Sequence, residues 1–381
     1  MLKVMFVFGT RPEAIKLCPL VIELKKHPEK YKVTVCVTAQ HREMLDQVLQ
    51  VFGVTPDIDL NIMLPNQTLY DVTSRCITEI GKAISSINPD ICILQGDTTT
   101  TFAGSLACFY GKVRIVHIEA GLRTGKKYSP FPEEINRRLV SVMADLHCAP
   151  TEYARSNLLK EGVSGNSIFV TGNTVVDALL WVRDKLKNTK TSFDMFSQID
   201  FSKRIILVTG HRRENFGSGF ESVCLALKKI ATSNQDVELI YPVHLNPNVR
   251  APVNKILSGI DNIHLIEPLD YEPFVYIMDK CEIIVTDSGG VQEEAPSLGK
   301  PTLVTRNDTE RQEAVQAGVV KLVGTDTQRI VEEVQRLLDD KNYYDSMSRP
   351  KNPYGDGDSC VQIARLIQNF FVTSGCKSET N

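Results

Sequence analysis

CEIIVTDSGGVQEEA, residues 281–295, decides the fold. Ile283, Ile284 and Val285 run consecutively instead of alternating with polar residues. Strands buried on both faces have this look, and burial on both faces is typical of parallel sheets covered by helices. Asp287-Ser288-Gly289-Gly290 then breaks the run, and Val291–Ala295 restarts it with helical character. Strand, glycine turn and helix form half of a βαβ unit. Two glycines let backbone N–H groups approach a pyrophosphate, and a helix start adds positive potential. Glu294, one turn in, is placed to accept hydrogen bonds from ribose hydroxyls.

Working outward, the same alternation fills the chain. Strands are expected at Lys3–Phe8, Val33–Thr38, Ile91–Gln95, Arg114–Ile118, Leu146–Ala149 and Ser167–Val170. A second set is expected at Arg204–Val208, Glu238–Pro242, Ile263–Ile266, Cys281–Thr286, Thr302–Thr305 and Val320–Val323. Helical stretches such as Glu13–Lys26, Val175–Lys187, Ser218–Thr232 and Gln328–Asp339 lie between strands. The pattern runs twice, so the expected class is α/β, with two Rossmann-like domains built on parallel sheets. The expected domains are 1–171 and 172–360, with a hinge near Thr171–Asn173. Ligands of such sheets bind at the carboxyl ends of the strands.

The chain has 381 residues, enough for two domains at about 150 residues each. Its formal charge is -3 and its pI about 6.2, so no strong global field draws nucleic acid. Mean hydropathy is -0.12 and no run of 18 apolar residues exists, which argues against a membrane span. The apolar start is cut short by Gly9, Arg11 and Glu13 and reads as a first strand, not a signal peptide. None of the ten cysteines is paired as CxxC, so reduced, buried thiols in a cytoplasmic protein are expected.

Charged residues gather at the strand ends. Arg11 and Lys16 flank a helix start after Gly9, which suits an anion. Asp97 follows Gln95-Gly96, and its ordinary role would be to cap the next helix. Glu119 ends the next strand, with an ion pair to Arg123 as the ordinary reading. Glu133 and Glu134 follow a proline-rich loop, with a Glu133–Arg137 pair as the ordinary reading. Three acids at neighbouring sheet positions shift one another's pKa and serve as acid and base. In the second half, His211 follows Thr209-Gly210 and suits a phosphate or a proton transfer. Arg311 follows a later strand and faces the same crevice as Ser288-Gly289-Gly290.

Together GTRPEAIK (9–16), TAQHREMLDQVL (38–49), GDTTTT (96–101), HIEAGLRTG (117–125), FPEEINR (131–137), GNTVVDALL (172–180), TGHRRENFG (209–217), YPVHLNPNVR (241–250), DSGGVQEEAPSLGKP (287–301), TERQEA (309–314) and NPYGDG (352–357) resemble the non-hydrolysing UDP-N-acetylglucosamine 2-epimerases of bacteria and archaea. The likeness covers about the whole chain, in order and spacing. It implies a glycosyltransferase-B-like fold with the active site in the interdomain cleft, and a C-terminal helix, 361–381, crossing back to the first domain. It also implies reversible conversion of UDP-N-acetylglucosamine to UDP-N-acetylmannosamine. In that chemistry UDP leaves by anti elimination to 2-acetamidoglucal and then re-adds, with neither metal nor cofactor.

By the same resemblance Asp97, Glu119, Glu133 and His211 form the catalytic group, without assigning which acid removes the C2 proton. Arg11, Lys16, Arg137, Ser288, Gly289, Gly290, Glu294 and Arg311 bind the substrate, and Phe274 meets the uracil. Gln40, His41, Gln67, Arg212 and His244 match a site where some relatives bind a second UDP-N-acetylglucosamine as activator. A cytoplasmic homodimer serving surface polysaccharide synthesis is implied, with no membrane or nucleic-acid partner. The chain departs from the family pattern at Gln95, Leu269, Gln312 and Asn66. The alternatives are a 2-epimerase for a modified sugar, such as a UDP-diacetamidoglucuronate, and a glycosyltransferase of related fold. The first would need an extra cation for the C6 carboxylate; the second has no reason for three clustered acids.

Overall fold

The structure is a computed structural model that describes residues 1–40, 42–64, 66–349 and 352–373. The chain forms two units, Met1–Ala178 with the segment from Tyr354 onward, and Leu179–Pro353. The first passage between them lies inside the helix Thr174–Thr189.

The first unit carries β1 (Leu2–Phe8), β2 (Tyr31–Val37), β3 (Ile58–Asp59), β4 (Ile91–Gln95), β5 (Arg114–Ile118), β6 (Leu146–Ala149) and β7 (Ile168–Val170). They form one sheet in the order β3-β2-β1-β4-β5-β6-β7, and every pairing is parallel. The second unit carries β8 (Arg204–Thr209), β9 (Val237–Pro242), β10 (Ile263–Ile266), β11 (Ile283–Thr286), β12 (Thr302–Val304) and β13 (Val320–Leu322). Their order is β10-β9-β8-β11-β12-β13, again parallel throughout. All twelve strands expected from the sequence are present, within two residues at either end. The two-residue β3 was not expected, because Ile58-Asp59 is too short to carry a pattern.

Both sheets therefore reverse their winding once, between β1 and β4 and between β8 and β11. Helices leave in opposite directions there and open a crevice at the carboxyl ends of the two strands. The central strands are apolar and wholly buried, Met5–Phe8 and Ile91–Leu94 in one sheet and Ile205–Val208 and Ile283–Val285 in the other. In the first unit the helix Ser359–Ile367 lies on the helix Arg11–Lys25, and the buried Tyr31 hydroxyl donates to the Ala364 carbonyl at 3.0 Å. No helix among the described residues is long and apolar enough to cross a membrane.

The loop after β5 shows how closely the backbone is packed beside the crevice. Gly121 has φ +94°, and a Cβ there would lie 2.2 Å from the Ala154 carbonyl oxygen in the helix Glu152–Lys160. Asn157 also donates to the Gly121 carbonyl at 3.0 Å. Gly121→Ala is expected to destabilise the protein by roughly 1–3 kcal/mol or more in urea unfolding, since both strain and overpacking are added. An unchanged midpoint would show that the loop relaxes freely.

Candidate active site

In the first unit the crevice is organised by Glu13. Thr10 caps the helix Arg11–Lys25 in a capping box with Glu13, which a sequence reader takes as the whole of that residue's role. The side chain does more. Its Oε2 accepts the N–H groups of Gly9 (3.0 Å) and Thr10 (2.8 Å) and the Thr10 hydroxyl (2.8 Å). Its Oε1 accepts the Thr98 (2.6 Å) and Thr101 (3.0 Å) hydroxyls from the loop after β4. One carboxyl thus ties the two crevice loops together. Burial pushes its pKa up, and the hydrogen bonds from Thr98, Thr10 and the Gly9 and Thr10 amides pull the other way. Thr101 has one hydroxyl hydrogen and a second acceptor, the Gln95 carbonyl at 2.6 Å. A protonated Glu13 would resolve that competition by donating.

Around this knot stand the acids singled out from the sequence. Glu119 sits at φ +62°, a left-handed backbone uncommon for a non-glycine residue and found at functional sites. It is nearly buried, and Lys16 reaches it at 2.5 Å. Gln95 donates to the same oxygen, and Asn173 donates to the other at 3.4 Å. Arg123 pairs instead with Glu161 at 2.7 Å, so the Glu119–Arg123 pair is not formed. Asp97 does not cap the next helix; Thr98 does. Asp97 is held by the Arg137 guanidinium, and its carbonyl accepts from Asn136 at 2.9 Å. Arg137 also meets Glu134 at 3.3 Å, which replaces the Glu133 pairing expected from spacing. Glu134, wholly buried, accepts the N–H groups of Thr124 (3.0 Å) and Gly125 (3.1 Å). Glu133 is left with Oε2 buried and without a hydrogen-bond partner among the described residues. Arg11 stands exposed at the first position of its helix.

His117 supports the floor. Its Nε2 is 2.7 Å from the Gly96 carbonyl, and burial pushes its pKa down to about 3. It is therefore neutral, with its hydrogen on Nε2 pointing at the turn that carries Asp97.

In the second unit the crevice has the same plan with a different acid. Asp287, at the end of β11, accepts the N–H groups of His211 and Arg212 from the loop after β8, each at 2.8 Å. The His211 ring stacks on His244 with centroids 5.5 Å apart. Beside it, Gly289 leaves room for a cation: a Cβ there would lie 3.1 Å from the Arg311 guanidinium carbon and 3.5 Å from Arg212 Nη2. Glu293 turns away from the turn and holds Arg311 at 2.9 Å. Glu310 meets Arg311 at 2.6 Å and Arg306 at 3.0 Å. Burial raises the Glu310 pKa, but Arg311, its own backbone, Arg306 and Arg212 outweigh it and leave it at about 2. Glu294 accepts from the buried Tyr271 hydroxyl at 3.2 Å. Phe274 lies one turn further along the helix Tyr271–Lys280, half-buried.

Of the expected residues, the first unit joins Lys16 to Glu119 and Arg137 to Asp97, and the second places Gly289 against Arg311. Of the residues matched to an activator site, Gln40 has Oε1 buried without a hydrogen-bond partner among the described residues. Gln67 is engaged on its own loop, accepting from Leu64 N–H at 2.6 Å and donating to the Ile62 carbonyl at 3.1 Å. Arg212 faces Glu310 at 3.7 Å, and His244 is the partner of His211. His41 lies outside the described residues. Sequence reasoning missed Glu13 and Asp287; the available signal was an acid just beyond the carboxyl end of a buried strand, four residues after Gly9 in one case and directly after β11 in the other.

A family model described as UDP-N-acetylglucosamine 2-epimerase matches residues 22–368. The UDP-N-acetylglucosamine 2-epimerase of Escherichia coli strain K12 is 57% identical over 372 residues, 97% of this chain and 99% of that one. Among solved structures, the Neisseria meningitidis UDP-GlcNAc 2-epimerase bound to UDP-GlcNAc is 50% identical, with TM-score 0.88 over 97% of this chain and 100% of that one. The Methanocaldococcus jannaschii UDP-GlcNAc 2-epimerase in complex with UDP-GlcNAc and UDP is 33% identical, with TM-score 0.77 over 96% and 99%.

Two variants separate the bonding of Glu13 from its charge. Glu13→Ala leaves two buried amides and two or more hydroxyls without their acceptor, at roughly 1–3 kcal/mol for each unmet group. Glu13→Gln offers an oxygen to the amides and an NH2 to threonine oxygens that can accept. In urea unfolding the Ala variant should lose several-fold more stability than the Gln variant. Equal losses would mean that the ionised carboxylate, not the bonding pattern, holds the loops.

Proposed function

The chain belongs to the UDP-N-acetylglucosamine 2-epimerase family, and from that premise we propose how its residues divide the work of inverting C2 of the sugar nucleotide. The second unit holds UDP. Arg311 beneath Gly289 and the Ser288–Gly290 turn meet the diphosphate, Glu294 the ribose, and Phe274 the uracil. The first unit supplies the carboxylates that act at C2. A carboxylate takes the C2 proton, the C1–O bond breaks, and its electron pair leaves on the UDP oxygen. A C1–C2 double bond remains in 2-acetamidoglucal. UDP then re-adds while a proton is delivered to the opposite face of C2. Protons and electron pairs balance without an oxidant.

The observation that carries this reading is the acid cluster. Inversion needs one proton acceptor and one donor on opposite faces of C2. Asp97 and Glu119 leave adjacent strands, β4 and β5, and Glu133 opens the helix whose Arg137 holds Asp97. Lys16 beside Glu119 and Arg137 beside Asp97 keep the three acids from standing as three bare like charges. Glu133, with a buried oxygen and no donor among the described residues, is open to a substrate group.

We also propose that the chain works in the cytoplasm as a homodimer. All nine described cysteines are buried and unpaired, as a reducing compartment requires. The helices Thr99–Tyr110 and Glu133–Met143 pack on each other and expose Phe109 and Tyr110 at one end and Leu139 and Val142 along the other helix. Exposed apolar side chains of this size mark interaction surfaces. Wild-type protein should scatter light as a dimer, and Phe109→Glu with Val142→Glu should scatter as a folded monomer. A monomeric wild type contradicts the assignment.

Incubation with UDP-N-acetylglucosamine in D2O tests the chemistry. Deuterium should enter C2 of the recovered sugar nucleotide, whereas epimerisation without solvent deuterium would exclude elimination. In the same assay Asp97→Asn, Glu119→Gln and Glu133→Gln should lower kcat roughly 10²-fold or more. Arg311→Ala should instead weaken UDP binding by about 10- to 100-fold, the worth of a charge-assisted phosphate contact.

A further inference from the structure

Asp287 is wholly buried, and its two oxygens are treated differently. Oδ2 accepts both amides of the histidine loop. Oδ1 has no hydrogen-bond partner among the described residues, and it stands 3.6 Å from Nδ1 of His211. A buried carboxylate oxygen without a donor is unusual and needs an explanation. A small rotation of the imidazole, which is about half exposed, turns that approach into a hydrogen bond. The loop itself is not free to move away: Tyr241, almost wholly buried, donates to the Gly210 carbonyl at 3.2 Å, and Asp287 N–H donates to the Thr209 carbonyl at 3.2 Å.

The other neighbours of His211 are unhelpful to a charged ring. His244 stacks on it, with Nδ1 accepting the Asn246 N–H at 3.1 Å and so carrying its own hydrogen on Nε2. Arg212 follows in the chain, itself facing Glu310. Burial lowers the His211 pKa most, His244 and Arg212 lower it further, and Asp287 is the one group raising it.

We propose that Asp287 is a positioning residue for His211. It fixes the Nδ1–H tautomer and leaves Nε2 as the end that carries a proton to the diphosphate oxygen departing from C1. This rests on the epimerase reading given above. The proton leaves His211 Nε2 as the C1–O bond breaks, and returns when UDP re-adds. A loop staple alone would need no negative charge. An asparagine oxygen could accept the two amides equally well, but its NH2 would face Nδ1 and force the other tautomer. The same logic makes the acid of a Ser-His-Asp triad irreplaceable by its amide.

The test uses the full-length enzyme and 15N spectra of its histidines, with the His211 signals identified by their loss in His211→Asn. Wild type should show a protonated Nδ1 and a titrating Nε2; Asp287→Asn should exchange the two. The variant should lose roughly 10²- to 10⁴-fold in kcat, as triad amides do. Its UDP affinity should change far less. With the opposing charge gone, His211 loses its proton at lower pH, so the basic limb of the kcat profile should move down. Added to His211→Asn, the substitution should have almost no further effect, because one interaction cannot be lost twice. An Nε2–H tautomer in wild type overturns the proposal, as does an unshifted pH profile or a fully additive double variant. If Asp287→Asn does not fold, the wild-type spectrum decides by itself. The tautomer is read without turnover, so failure of the epimerase reading would show separately, as a wild type that puts no deuterium into C2.

Discussion

A carboxylate taken out of water must find donors or lose its charge, and that constraint shapes both crevices of this protein. Glu13 is wholly buried beneath the loops after β1 and β4, and Asp287 beneath the loops after β8 and β11. In each unit the acid comes from one loop and its donors from the other or from both. The two strands involved are the pair at which the sheet reverses its winding. Their exits diverge, so nothing in the sheet itself holds the two loops together. The buried acid does, and Asp97, His211 and the Ser288–Gly290 turn lie on the loops it joins.

Preorganisation follows from this. Groups held by packing and hydrogen bonds before the substrate arrives need not be reorganised during the reaction. Lys16 on Glu119 and Arg137 on Asp97 let acids gather where free carboxylates would repel one another. The left-handed backbone at Glu119 is a local strain, and two residues on Gly121 packs against the Ala154 carbonyl. Arg311, clasped by Glu293 and Glu310, is aimed before any diphosphate binds.

Much of the fold was legible because fully buried strands advertise themselves: Ile205–Val208 and Ile283–Val285 permit little else. β3 escaped because two residues carry no period. The acids at strand ends were legible by place, but their partners were not. Glu119 with Arg123, and Glu133 with Arg137, are near neighbours in sequence, yet the fold gives Glu119 to Lys16 and Arg137 to Asp97, 103 and 40 residues away. Spacing on one element ranks local pairs first, whereas parallel strands bring distant loops side by side. Glu13 hid behind a local explanation that was correct and incomplete: it does complete a capping box. Asp287 hid because the glycines after it drew the attention that belongs to a phosphate site.

The central claim is that the buried acids hold these loops in the resting protein, and amide hydrogen exchange tests it most directly. The N–H groups of Gly9, Thr10, His211 and Arg212 lie in loops at the mouth of a crevice. Without nucleotide they should exchange as slowly as amides within β1 and β8, since opening them strands a buried carboxylate. Exchange as fast as in ordinary exposed loops would contradict the account, and would mean that these loops are ordered by substrate and not by Glu13 and Asp287.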